Sequence, residues 1–517
     1  MVVLTFLLNL IVFILVLGII ILLHELGHFL VAKKFNVLCH EFSIGMGPAL
    51  FQKKKGETTY SIRAIPIGGY VSIAGEDNDD SLFIVDDTIG LRLTQNNEVE
   101  GIVLHREVQY DVIGKVTSFE IFDKEKEPLH IELELENGTI TRYPVLENAK
   151  YYLEKEKEVQ IAPKDRSLSQ KPKIQRFLVL FAGAFMNFVL ALFLFIFAFA
   201  IIGKPVNEAV VGRVDPAGAL AELKNEKNFR IEEVNGVAVT TWDDLSREIQ
   251  KYPGLPITIK VEGKDTLINI NTRVDINMLG VTNYNEDGTI GTEQLVIGQV
   301  YGLGSKSSLQ PGDKITKLNK IEVNTWEELI NSLDTIDGLN VEVEYLRGAE
   351  TKVTSYKIMP KDTIEGQGVR VSQVLIGIEG TYKFDFGYAL KMGFVQFADD
   401  STKIFKVLGG LFTPKTSGIS VTDLAGPIGI FNLVAQVREG GFIAIILFMA
   451  FLSVNVGLVN LLPIPALDGG RILFLIIEAI IRRPLNKKVE TLIYNITFIL
   501  LMALFVLIMV FDVLRLF

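Results

Sequence analysis

The chain is 517 residues long, 49% of them hydrophobic, and carries a formal net charge of −10 at pH 7. That length exceeds one compact soluble domain, and the apolar share points to a membrane protein. The acidity leaves no basic footprint for nucleic acid, and a single cysteine, Cys39, excludes an internal disulfide and disfavours a thiolate metal site.

Four apolar runs, 2–23, 177–202, 442–467 and 491–511, are long enough to cross a bilayer, which needs roughly 20 residues. The first has no Lys or Arg before it and no small-residue cleavage pattern after it, so it does not read as a signal peptide. Lys33, Lys34, Lys53, Lys54 and Lys55 follow this first run. Lys171, Lys173 and Arg176 precede the second, and Arg482, Arg483, Lys487 and Lys488 separate the third from the fourth. Close to span ends, the opposite side offers only Lys204, Arg438 and Arg515. The positive-inside rule then puts 33–176 in the cytoplasm, and both termini and 203–441 outside.

In chain order the expected parts are these. Residues 1–34 form a first membrane helix. Residues 35–76 form a Gly-rich, membrane-associated β region containing Gly68-Gly69, and 77–170 a cytoplasmic β-rich insertion without recognisable chemistry. A second membrane helix follows at 177–202. The outer region then repeats itself. Val234-Asn235-Gly236 leads to Thr241-Trp242-Asp243-Asp244-Leu245, and Leu318-Asn319-Lys320 leads to Thr325-Trp326-Glu327-Glu328-Leu329. Thr241 and Thr325 suit helix N-caps followed by first-turn acids. A small β-rich unit with one main helix, present twice, resembles the PDZ domain, with expected bounds of 206–290 and 291–381. Pro311-Gly312-Asp313 fits its turn in the second copy; Asn228-Phe229-Arg230 in the first fits less well. Residues 383–440 read as an amphipathic surface helix or a loop, with a connection after it. Membrane helices at 442–468 and 489–511 complete the chain.

His24-Glu25-Leu26-Gly27-His28 ends the first apolar run. On a helix, residues four apart share a face. Both imidazoles can therefore reach one zinc ion, with Glu25 placed to take a proton from a zinc-bound water. A chance His-Glu cluster would leave three ionisable groups beside an apolar span unexplained, where a central charge costs about 2.5 kcal/mol or more. A third protein ligand is expected. No third histidine stands at metzincin spacing, because Val31 occupies the glycine position; His105 and His130 read as surface histidines of the insertion. Asp468 is the better candidate. It sits in Asn460-Leu461-Leu462-Pro463-Ile464-Pro465-Ala466-Leu467-Asp468-Gly469-Gly470, where prolines loosen the helix and glycines allow close backbone approach. An ordinary turn cap is the alternative for it.

HExxH in the first span together with NxxPxPxLDGG in a late one resembles the site-2 protease family of intramembrane metalloproteases. The tandem repeat narrows the likeness to the bacterial regulator-of-sigma-E protease branch. Gly68-Gly69-Tyr70 and Ala425-Gly426-Pro427-Ile428 belong to it as well. The likeness implies a polytopic α-helical membrane protein with four transmembrane helices, two extracytoplasmic PDZ-like α+β domains and a cytoplasmic β-rich insertion. It also implies residence in the bacterial plasma membrane. His24, His28 and Asp468 would bind Zn2+, and Glu25 would be the base. Asn187, in Ala182-Gly183-Ala184-Phe185-Met186-Asn187, would bond substrate backbone or the oxyanion, although Pro is commoner where Ala184 stands. Asn455 and Asn460 would help hold substrate, with helix packing as the alternative for all three asparagines. Gly68 and Gly69 would lie on a strand edge that pairs with an unwound substrate. Substrates in such a family are single-span membrane proteins already trimmed, including anti-sigma factors and signal peptide remnants. Two other readings compete: an HExxH membrane protease that cuts water-exposed chains without using Asp468, and a PDZ-bearing adaptor with a dead site.

Overall fold

The computed structural model describes residues 2–514 apart from 77–80, 106, 125, 155–156, 227, 292, 337, 360, 362–363, 365–369, 413–423 and 484. Its helices are α1 (Val2–Lys34), α2 (Lys173–Ile202), α3 (Trp242–Ile249), α4 (Trp326–Leu333), α5 (Phe386–Phe412), α6 (Pro427–Glu439), α7 (Phe442–Asn460), α8 (Asp468–Ile481) and α9 (Lys487–Leu514). The chain divides into two compact units, residues 1–195 with 425–517, and residues 196–424.

Within the first unit, α1, α2, α7 and α9 are long and apolar enough to cross a membrane. A helix satisfies its own peptide groups, which lipid cannot do, and exposed Ile11, Leu15, Phe193 and Leu500 fit an apolar surrounding. The third span differs from the expected 442–468. The helix stops at Asn460, 461–467 is non-helical, and Asp468 opens the separate α8. Pro463 and Pro465 lack the N–H that would continue the ladder, and Ala466 adopts φ +86°, which no helix accommodates. Part of the connection expected before span three is also helical, as α6; residues 413–423 of that stretch lie outside the described residues.

Strands β1 (Cys39–Lys55) and β2 (Thr58–Ile73) form a long, curled hairpin. Glu41–Ile44 pairs with Gly69–Ser72 on one side and with Thr59–Ile62 on the other, so the 69–73 segment becomes an outer edge. Ile44, Met46, Leu50, Phe51, Ile62 and Ile65 are exposed on this hairpin. A patch of that kind on a soluble surface marks a membrane or partner contact. The hairpin turn is fixed by Glu57, whose carboxylate accepts from Lys33 Nζ at the end of α1 (2.5 Å) and pairs with Arg166 (2.7 Å).

The insertion is a closed barrel. Strands β3 (Thr88–Leu93), β4 (Val99–Val103), β5 (Val112–Glu120), β6 (His130–Glu134) and β7 (Ile140–Glu154) run in the order β4-β3-β5-β6-β7, with β7 returning to β4 in parallel and β8 (Lys157–Gln160) outside. Closure removes the free edges that would otherwise recruit other chains. Leu91, Ile102, Val116, Ile131 and Leu133 fill its interior, each fully buried. His130 is not a surface histidine: it is 3% exposed, and its Nδ1 is 3.0 Å from Pro128 O.

The second unit holds the repeat. Thr241 Oγ1 accepts from Asp244 N and Thr325 Oγ1 from Glu328 N, so both threonines cap their helices, α3 and α4. The bounds differ from 206–290 and 291–381. Residues 274–281 pack into the core around Trp326, Leu318 and Val343, whereas Val374 and Ile376 join the core around Ile231, Leu245 and Ile259. Gln373–Leu375 pairs with Arg273–Ile276, and Ile378–Gly380 pairs with Val210–Val214. The second copy is thus nested inside the first, because the strands that complete the first lie beyond the second.

The Arg166 and Lys33 partners hold the Glu57 carboxyl down at about 2, against an ordinary 4.5. A depressed carboxyl pKa stabilises the folded state above the ordinary value, and the contribution disappears as pH falls toward the folded one. Glu57→Gln should therefore lower the thermal midpoint at neutral pH, with the gap to wild type closing between about pH 4.5 and pH 2. A gap that stays constant with pH would refute this.

Candidate metal centre

His24 and His28 lie one turn apart on α1, both 8% exposed, with their Nε2 atoms 3.3 Å apart. Asp468 Oδ2 is 3.2 Å from each. The three donor atoms make a nearly equilateral triangle of 3.2–3.3 Å. A tetrahedral zinc with ligands at about 2.0 Å spaces those ligands about 3.3 Å apart, so the triangle has the right size for one face of the tetrahedron and leaves a fourth position open. Asp468 Oδ2 is buried without a hydrogen-bond partner of its own among the described residues, facing only the two imidazole nitrogens. A shared cation accounts for three unshielded donors converging in this way. His24, His28 and Asp468 form a His/Asp cluster able to hold a metal.

The surrounding helices orient the imidazoles. His28 Nδ1 is 2.8 Å from the Val179 carbonyl, which can only accept. The ring proton therefore sits on Nδ1, and Nε2 presents its lone pair to the triangle. His24 Nδ1 is 3.3 Å from the Asn187 side-chain amide. Asn187 is fully buried, its side-chain Oδ1 has no partner among the described residues, and its backbone carbonyl accepts from Ser453 Oγ (2.8 Å) on α7. Glycines let these helices approach. A Cβ on Gly27 would strike the Ala182 carbonyl, one on Gly183 would strike His28 Nε2, and one on Gly457 would lie 2.6 Å from Phe188. Small residues at crossings are how membrane helices pack closely. Sequence reasoning singled out Asn187 in this stretch and missed Gly183 and Ser453. The signal for Gly183 was its place four residues before Asn187, on the same helix face.

Asp468 reaches the histidines from the start of α8, where the helix dipole favours a carboxylate. A Cβ on Gly469 would collide with the carbonyls of Leu461 and Leu462, and one on Gly470 with that of Ile464. The glycine pair thus lets the proline turn fold back against α8. Ala466 at φ +86° stores strain two residues before the ligand position, a cost of order 1–3 kcal/mol.

Glu25 sits between the two histidines, partly exposed. The glycine pair of the hairpin runs beside it: a Cβ on Gly69 would lie 3.6 Å from Glu25 Cγ, and Gly68 has φ +93°. Asn455 and Asn460 are placed differently. Their amides donate to Phe451 O (2.9 Å) and Val456 O (3.0 Å) on their own helix, and among the described residues neither is hydrogen-bonded to His24, His28 or Asp468.

A methyl group at position 183 would occupy the space of His28 Nε2. Gly183→Ala should therefore cut the zinc content of the purified protein to well below one ion per chain, measured by elemental analysis. Gly18→Ala, on α1 where no atom lies within 4 Å, should leave it unchanged. Equal zinc content in the two variants would contradict the packing argument.

Comparison with known proteins gives the same direction. The sequence pattern described as Peptidase family M50 matches residues 12–504. A relative from Staphylococcus aureus (strain N315) is 31% identical over 99% of this chain and 100% of its own length. Zinc metalloprotease RasP of Geobacillus kaustophilus is 29% identical, covering 96% of this chain and 95% of its own, and RasP of Shouchella clausii is 28% identical over 98% and 99%. Homologues named as zinc metalloproteases support Zn2+ as the ion for the donor triangle, and a family match over nearly the whole length leads to one conclusion: the chain belongs to peptidase family M50, the site-2 proteases, and is a membrane zinc metalloendopeptidase.

Proposed function

We propose that this protease cuts peptide bonds inside the membrane, in single-span proteins already shortened by another protease, as a step of regulated intramembrane proteolysis. Anti-sigma factors and signal peptide remnants are the substrate classes that suit it. The observation that carries this reading is that the paired histidines stand on a helix long and apolar enough to span a bilayer. His24, His28 and Asp468 hold the zinc. When bound, zinc lowers the pKa of a water toward neutrality and polarises the scissile carbonyl. Glu25, beside the ligand pair, takes the proton from the attacking water and returns it to the leaving amine. The 69–73 strand edge, next to Glu25, is suited to pair with a substrate segment whose helix has opened, using main-chain hydrogen bonds. Gly68 and Gly69 keep side chains out of that path. The exposed apolar face of the hairpin supports its sitting in lipid. Asn455 and Asn460 keep their carbonyl oxygens for substrate backbone. The two nested lobes, PDZ-like in their capped helices, act as a size filter or docking site. The positive-inside pattern supports both termini and the lobes lying outside the cytoplasm.

Asn187 takes a different role from substrate contact, because its side chain is fully buried. A histidine that ligates through Nε2 carries its proton on Nδ1 and needs an acceptor there. The Asn187 amide, turned so that its unpartnered oxygen faces His24, supplies one. Asn187 is thus a positioning residue.

Two experiments test these readings. In membranes, wild type should cleave a trimmed single-span substrate within its apolar segment while Glu25→Gln binds zinc but does not cut. A cleavage site mapping outside the bilayer would overturn the intramembrane reading. For Asn187, the Asn187→Leu variant should lower zinc affinity about 10–100-fold, and Asn187→Asp, which can only accept, should restore it. Unchanged zinc affinity in Asn187→Leu with a raised KM would return the residue to substrate contact.

A further inference from the structure

A cavity in the first unit is lined by none of the three metal donors. Its volume is about 920 Å³, and it is bounded by the start of α2, the length of α8 beyond Arg471, and the start of α9. Six cationic side chains line it, Lys171, Lys173, Arg176, Arg471, Arg482 and Arg483, against three carboxylates, Glu76, Glu478 and Glu490. The ion pairs inside it are specific. Arg176 pairs with the buried Glu478 at 3.0 Å, Lys173 Nζ donates to the Glu478 carbonyl, and Arg471 pairs with Glu76 while lying over the Tyr494 ring. Lys171, Arg482 and Arg483 have no carboxylate partner among the described residues.

Three observations indicate that this surplus is built for a ligand. Lys171 is partly buried, and that burial pushes its ammonium pKa down despite the opposing pull of Asp165. Arg482 caps α8 in the left-handed region, φ +60°, where glycine or asparagine is the ordinary choice. The backbone gains nothing from arginine at that place, and the residue lines the cavity while remaining solvent-exposed. The surroundings also have two characters. The polar cavity adjoins the exposed apolar flanks of α8 and α9, where Ile476, Ile480, Leu492 and Ile496 lie open. A free phosphate would use the cations and leave those flanks idle. A phospholipid uses both, with its phosphodiester among the cations and its acyl chains along the isoleucines.

We propose that this cavity is a binding site for the headgroup of an anionic phospholipid. Basic pockets between membrane helices at the cytoplasmic ends of the spans are suited to such headgroups. The site also bears on the protease centre, since α8 runs from Asp468 directly into it through Arg471.

The test uses the full-length chain in nanodiscs of phosphatidylcholine carrying a trace of spin-labelled phosphatidylglycerol or, as control, spin-labelled phosphatidylcholine. Phosphatidylglycerol should show the larger immobilised fraction. The triple variant Lys171→Gln, Arg482→Gln, Arg483→Gln should lose that preference, with affinity falling on the order of 100-fold from about 1 kcal/mol per charge. Neutralising Lys53, Lys54 and Lys55 instead should leave the preference intact, which separates a built site from general basicity. Zinc content should be unchanged in both triple variants, confirming that they fold. Equal immobilisation of the two lipids would overturn the proposal, as would loss of preference in both triple variants. Complete displacement of phosphatidylglycerol by millimolar inorganic phosphate would reassign the cavity to a free anion.

Discussion

Everything in the membrane part of this molecule answers to one close approach, that of α1 to α2 at Gly27 and Gly183. Neither helix could come so near with a methyl group at either place. The contact sets His28 against the Val179 carbonyl, which puts the ring proton on Nδ1 and leaves Nε2 bare, and sets His24 against the Asn187 amide. Helix α7 closes on α2 in the same way at Gly457 and ties itself to Asn187 through Ser453. Only with these helices locked can the carboxylate of Asp468 meet the two rings at 3.2 Å. Three lone-pair donors held this tightly are mutually repulsive, and a divalent cation converts the repulsion into binding energy.

Around that fixed point the fold distributes its other tasks. The break after Asn460 brings an acidic residue, Asp468, up to the two histidines. The irregular 461–467 backbone packs closely against the start of α8, where Gly469 and Gly470 admit the carbonyls of Leu461, Leu462 and Ile464. The curled hairpin lays a glycine-bearing edge alongside Glu25. The barrel between the hairpin and α2 keeps its core to itself, and the buried His130 belongs to that core and not to the chemistry.

The chemical centre was legible in the sequence because its constraints are local. Two histidines four apart declare a shared helix face, and an aspartate between prolines and glycines declares an irregular, closely packed turn. The four long apolar helices were legible from length and apolarity alone. What escaped was information held in pairs of distant residues. The end of the third helix at Asn460 depends on where proline and a left-handed alanine stop the ladder, while hydropathy continues unbroken to Leu467. The full burial of Asn187 is something no pattern of residue types reports. The nesting of the repeat depends on two strands of three residues each, Gln373–Leu375 and Ile378–Gly380, too short to announce partners about 100 and about 165 positions earlier.

That nesting imposes an order of events on synthesis. The earlier lobe emerges from the ribosome lacking its closing strands, and its sheet edge at Val210–Val214 stays unpaired until the later lobe has been made in full. The later lobe, contiguous in sequence, can collapse as soon as it is complete. The order of maturation is therefore the reverse of the order of translation, and a truncation that spares every residue up to 371 would still leave the first lobe open.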